Sequence, residues 1–319
     1  MKNNLKKFTA LVKREFIEHK NGYFWIPTII IGIVLAILIL TLMGVGRFQM
    51  GELEVHGITN LSDGLMRLQE EAGNKDLPFG AKVAGIYWVP MIPAAVALGF
   101  VVFFSLLGSL YEERRDRSVL FFKSMPVSDT QEVLAKLVTA IFVAPLVFLA
   151  IVIVGQLIIA TLLSLVVMVQ GGPAGLLWPL GDMIASWISM FLFYALFVLW
   201  VLPNFAWLLL VSSFAPRMPF VFAILPPIVL VIVEKIFFGS EHIGNLLDSR
   251  GEDFAAAIQQ SLPAHDTIVM SGITARMSFD VFFSGLGNSL ASGSFWGGLL
   301  VAGAMLWGAI ELRKRSLAL

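Results

Sequence analysis

One carboxylate, Glu234, falls inside the apolar stretches of this 319-residue chain that are long enough to cross a bilayer, with Lys235 beside it near the end of its stretch. An ionisable side chain at such depth is costly and is kept where it titrates or pairs. Glu234 therefore reads either as a proton or cation site or as a boundary residue reaching for the headgroups. Gln156, Asn204 and Tyr194 also lie within apolar stretches and suit hydrogen bonds between helices. The 4 histidines, His19, His56, His242 and His265, sit in different polar segments. None has the i, i+4 spacing with an acid that a helical zinc site needs, so no metal site is expected. A Gly-x-x-x-x-Gly-Lys-Ser/Thr phosphate loop is absent, and Gly44-Val45-Gly46 lacks the third glycine of a dinucleotide turn. Paired aspartates, or a serine with a histidine, are missing at membrane depth, which excludes intramembrane proteolysis. The chain reads as a conduit or scaffold, not an enzyme, and any energy it uses comes from elsewhere.

Composition sets the elements that must position these residues. The chain is 58% hydrophobic and 14% charged, with a mean hydropathy of +0.85. Soluble domains carry about 25% charged residues, so this is a polytopic membrane protein. It contains 0 cysteines, which excludes disulfides and thiolate metal sites. A hydrocarbon core needs about 20 apolar residues, and six stretches supply them: Phe24–Val45, Ile86–Leu110, Leu137–Val169, Met183–Phe214, Phe220–Phe238 and Phe295–Ile310. The third and fourth are well over this length and must tilt, bend or project into water. Pro90, Pro93, Pro145, Pro203, Pro226 and Pro227 offer bend points. The first stretch is too long for a signal-peptide core and lacks a small-residue exit, so it is expected to be retained.

Most of the 22 basic residues fall on one side of these spans: Lys2, Lys6, Lys7, Lys13, Arg14 and Lys20; Arg114, Arg115, Arg117, Lys123 and Lys136; Arg217; and Arg313, Lys314 and Arg315. The positive-inside rule then places both termini in the cytoplasm, with the chain multi-pass in the cell inner membrane. Residues 1–23 read as an amphipathic cytoplasmic helix, 24–312 as the six-span domain and 313–319 as a basic tail. Residues 46–85 and 239–294 should form folded or helical pieces at the outer surface. In the first helix Leu5, Phe8, Leu11, Val12 and Phe16 share an arc of about 140°. This suits an interfacial helix. Glu15 falls within that arc, and points to protein and not to lipid.

The densest polar segment is the cytoplasmic loop 111–132, between spans two and three. It opens on Glu112, Glu113, Arg114, Arg115, Asp116 and Arg117 and continues into Val119, Leu120, Phe121 and Phe122. Pro126 stops one short helix, and Ser128-Asp129-Thr130-Gln131 has the form of a capping box opening the next. A short helix presenting aromatic residues beside arginines suits a groove on a soluble partner. A hairpin packed on its own membrane domain fits the same residues.

The run Glu112 to Ser118, followed by Phe121, Ser124, Met125-Pro126-Val127-Ser128 and Leu134-Ala135-Lys136, resembles the signature loop of type-2 ABC transporter permeases. There a Glu-x-x-x-Gly-Thr stretch leads to a Leu-Pro-Val-Ser-like turn and then a lysine opening the third helix. Lys13-Arg14-Glu15-Phe16 is similar to that family's elbow helix. This chain departs at Asp116-Arg117-Ser118, where a Gly-Thr pair is usual. The resemblance implies an all-α, six-helix permease with an N-terminal elbow helix and a cytoplasmic coupling helix between spans two and three. It implies a second permease subunit, homo- or heteromeric, and a separate ABC-type ATPase that holds ATP and magnesium. No cofactor would be bound directly, and no nucleic acid. Glu113, Arg114, Arg117, Leu120, Phe121 and Phe122 are the implied ATPase contacts, with Glu15 tying the elbow helix to that junction. Transport would usually be outward. A non-transporting scaffold, or an ion-coupled carrier built around Glu234, is the alternative.

Overall fold

The computed structural model describes residues 2–44, 48–50, 53–55, 61–72, 78–118, 127–240, 252–258 and 279–315. Helix α1 (Lys2–Glu18) runs through a π-helical turn, Asn21–Trp25, into α2 (Ile26–Leu42). Strands β1 (Phe48–Met50) and β2 (Leu53–Val55) pair antiparallel, with Phe48 opposite Val55. Helices α3 (Leu61–Ala72), α4 (Phe79–Ile86) and α5 (Ile92–Arg115) follow. After them come α6 (Asp129–Val138), α7 (Ala144–Val169), α8 (Leu180–Phe214), α9 (Pro219–Phe238), α10 (Phe279–Ala291) and α11 (Gly293–Arg315). Apart from the one hairpin, the regular structure among the described residues is helical.

Six helical segments are long and apolar enough to cross a membrane: Asn21–Leu42, Phe79–Arg115, Asp129–Val169, Ala174–Phe214, Pro219–Phe238 and Gly293–Arg315. They coincide with the six apolar stretches of the sequence, so the chain is a multi-pass membrane protein. The prolines of the two over-long stretches are accommodated differently. A π-helical turn, Thr139–Val143, separates α6 from α7 just before Pro145, and Pro203 lies inside α8. In the second span a 3₁₀ turn at Val89–Met91 carries Pro90 and separates α4 from α5.

Prolines also decide where polar side chains go. Pro145 has no N–H for the carbonyl four residues back, Ile141, and Pro227 has none for Ala223. The Tyr194 hydroxyl donates to Ile141 O at 3.1 Å, and the Trp207 indole N–H donates to Ala223 O at 3.0 Å. Each orphaned carbonyl is thus satisfied by a neighbouring helix. Removing the Tyr194 hydroxyl (Tyr194→Phe) should cost about 1–3 kcal/mol, read as a lower thermal midpoint in detergent; an unchanged midpoint would show that water serves Ile141 equally well. Gln156 bridges helices as its placement suggested, accepting from the Trp187 indole at 2.6 Å and donating to Tyr87 O. Asn204 does not: its side chain is exposed on α8.

The core lies where α2, α5, α7 and α8 meet, with Ile31, Met91, Val152 and Ile159 among its buried residues. Gly155 lets α7 approach α2, since a Cβ there would meet Ile31 Cγ2 at 2.9 Å. A separate aromatic cluster joins α8 to α10, α11 and the helical residues 252–258 through Phe193, Trp200, Phe282 and Phe295. Helix α10, with 13 residues, falls inside the segment assigned wholly to the outer surface, yet it packs on the fourth span. It is too short to register as a span.

Candidate functional site

Four separate parts of the chain bring charge to one end of the bundle: α1, the end of α5, the start of α6 and the end of α11. The capping box is formed, with Ser128 Oγ accepting from the Gln131 N–H at 3.3 Å and the Gln131 side chain accepting from the Ser128 N–H at 3.4 Å. It orients the first turns of α6, so that Asp129, Glu132 and Lys136 lie along one face at helical spacing.

Lys136 Nζ donates to both oxygens of Glu15, at 2.9 and 3.1 Å, and lies 2.8 Å from Glu113 Oε1. Arg313 spans the remaining acids: one guanidinium nitrogen donates to Glu113 Oε2, a second to Glu132 Oε2, and its Nε reaches Asp129 at 3.2 Å. Arg14 closes the circuit, donating to Glu15 at 2.7 Å and Glu132 at 3.3 Å. Glu15, Glu113, Glu132, Lys136 and Arg313 are all buried. Burial pulls the Glu15 carboxyl upward, but the Lys136 charge and the hydrogen bonds from Arg14 and Lys136 outweigh it and hold Glu15 below the ordinary carboxylate value.

These contacts constrain topology. The segment before span one, the end of span two, the start of span three and the end of span six share one end only if each is separated from the next by an even number of crossings or none. Six crossings satisfy this. Both oxygens of Glu15 and of Glu113 already face cations, so the cluster is a clamp of fixed charges and not an open ligand sphere.

Two expected partner-facing residues are placed otherwise. Glu113 is 6% exposed and Arg114 7% exposed, and both are engaged by their own chain. Arg114 donates to Ser212 O at 3.0 Å and to Ala215 O at 2.8 Å, holding the end of α8 as a cation suits a helix C-terminus. Their helical phase points them into the bundle, which a charge-dense sequence does not reveal. Arg117 is exposed, just past α5, with a left-handed φ of 58°. Leu120, Phe121 and Phe122 lie outside the described residues. Glu15, expected at a junction, meets Lys136 as described. Arg14, Glu132 and Arg313 join the cluster without a local motif that marks them. Arg14 and Arg313 read as topology-setting charge, and the one available signal for Glu132 was an acid one turn before Lys136. Glu234 is buried near the end of α9 and accepts a hydrogen bond from Ser240 Oγ at 2.8 Å.

No protein family, curated protein or solved structure matches this chain.

Proposed function

We propose that this chain is the membrane-spanning subunit of an ATP-binding-cassette exporter, and that a separate ATPase subunit docks on the segment between α5 and α6. The observation that carries the reading is the charge clamp. It ties both flanks of the docking segment, Glu113 before it and Asp129, Glu132 and Lys136 after it, to α1 and to the end of the sixth span. A push on the segment is therefore delivered to several spans together. Breaking any one of these buried pairs leaves uncompensated charge, so the elements move as a body.

Arg117 supports the resemblance in the loop. It lies within Asp116-Arg117-Ser118, where the family's loops usually carry a Gly-Thr pair, and its backbone takes the left-handed conformation that glycine adopts without strain. In this reading both termini and the docking segment face the cytoplasm of the cell inner membrane, a second permease subunit completes the pathway, and ATP and magnesium belong to the ATPase. Arg117, Leu120, Phe121 and Phe122 remain the docking residues. Glu113 and Arg114 hold the segment's base, and Glu15 anchors the elbow helix to it.

Purifying the tagged chain in mild detergent from its native host, with mass spectrometry of what accompanies it, tests this directly. A stoichiometric ATPase is expected, and Phe121→Asp should remove it while the chain still inserts and elutes as a single species. Normal ATPase recovery with a folded Phe121→Asp chain would overturn the assignment. Stimulation of the bound ATPase by a transported compound separates an exporter from a scaffold.

A further inference from the structure

A groove of about 640 Å³ runs between the α1–α2 junction and the outward face of α5. Ligand pockets typically enclose about 300–1,000 Å³. Its α5 wall is one helical stripe, Ala97, Phe100, Phe104, Gly108 and Glu112, at spacings of three and four residues. At 1.5 Å per residue the stripe is about 22 Å long. Phe100 and Phe104 are 62% and 54% exposed, and Ile26 faces them across the groove. The end nearer the charge clamp is polar, lined by Glu18, His19, Asn21 and Glu112.

Two glycines shape the groove. A Cβ on Gly22 would meet Val101 Cγ1 at 2.7 Å, so glycine there lets the junction close on α5 at the groove's floor. A Cβ on Gly108 would lie 2.9 Å from Glu112 Oε1, so the bare backbone leaves room for that carboxylate to fold back over its own helix. Neither Glu18 nor Glu112 forms an ion pair or side-chain hydrogen bond among the described residues, and nearby cations are engaged elsewhere. Arg115 pairs with Asp116 at 2.9 Å, and Lys20 sits over the Phe24 ring at 6.0 Å. The clamp holds its acids in matched pairs. The groove presents two acids outside any ion pair among the described residues, above an aromatic wall, although the Arg115 charge is felt at Glu112.

We propose that this groove binds an amphipathic cation, with a protonated amine between Glu18 and Glu112 and its apolar body along Ala97, Phe100 and Phe104. Charge complementarity selects the head group, and the exposed phenylalanines take the apolar body. No lysine or arginine lines the groove, so it offers nothing to the phosphate of a zwitterionic lipid. The occupant is therefore a phosphate-free amine that partitions into the membrane. The site stands whether or not the chain couples to an ATPase.

The test is saturable binding of radiolabelled dodecylamine to the purified chain in phosphatidylcholine nanodiscs, with empty discs subtracted. One site per chain is expected, displaced by dodecyltrimethylammonium and not by dodecanol. The double variant E18Q/E112Q should bind about tenfold or more weakly. Both residues are exposed, so an unchanged thermal midpoint will verify its fold. Ala97→Phe, which fills the wall, should weaken binding independently. Equal binding by a folded E18Q/E112Q chain, displacement by dodecanol, or no saturable component would overturn the proposal. So would loss of dodecylamine binding in discs containing phosphatidylethanolamine, which would assign the groove to a bilayer lipid.

Discussion

Arg313→Met should destabilise the folded chain by about 3–5 kcal/mol, the range for removing one partner of a buried ion pair. Arg313 faces Glu113, Glu132 and Asp129 at once, and its removal leaves Glu113 with Lys136 alone and Glu132 with half-buried Arg14 alone. The loss should appear as a lower thermal midpoint in mild detergent and as easier proteolysis at the end of the bundle where α1, α6 and α11 meet. Adding Glu132→Gln to Arg313→Met should recover part of it, because the neutral amide no longer needs a counter-charge. Midpoints for Arg313→Met equal to wild type would mean that water reaches the cluster and that the clamp transmits nothing. An intact clamp is also a condition of the proposed function. Arg313→Met should uncouple ATP hydrolysis from transport even at temperatures where the chain stays assembled.

Trp200→Ala should cost about 3–5 kcal/mol, as large-to-small changes at buried aromatic positions do. Trp200 is 2% exposed, packs edge-on to Phe295 with ring centroids 5.2 Å apart, and donates its indole N–H to buried Ser289 at 2.9 Å. Spans persist when a membrane protein loses its tertiary structure, so the expected loss comes from helix packing and the cavity left behind, not from transfer out of water. Trp200→Phe isolates the two parts. It keeps most of the ring, and Ser289 still donates to Gly285 O, so about 1–2 kcal/mol should be lost. A near-neutral Trp200→Ala would show that α10 is peripheral to the fourth span and not part of its core.

The spans and their approximate limits were legible in the chain because lipid imposes a one-dimensional rule of about 20 apolar residues per crossing. Of the expected bend points, the helix changes type near Pro90 and Pro145 but runs on through Pro203, Pro226 and Pro227. The capping box at Ser128–Gln131 was equally local, since its partners lie within one turn. What escaped was phase and distance. Glu112, Glu113, Arg114 and Arg115 are adjacent and alike in type, yet the helix turns the middle two into the protein and the outer two to its surface. Successive residues are separated by about 100°, and which pair turns inward depends on where the neighbouring helices lie. Arg313 and Glu113 are 200 positions apart, so no local pattern announces their pairing. Sequence alone determined that six segments are long and apolar enough to cross a membrane and that the basic residues gather mainly on one side of them. Tertiary packing decided which of those charges are buried as a clamp and which two remain unpaired over an aromatic groove, because pairing between distant ions is settled only when the helices that carry them close.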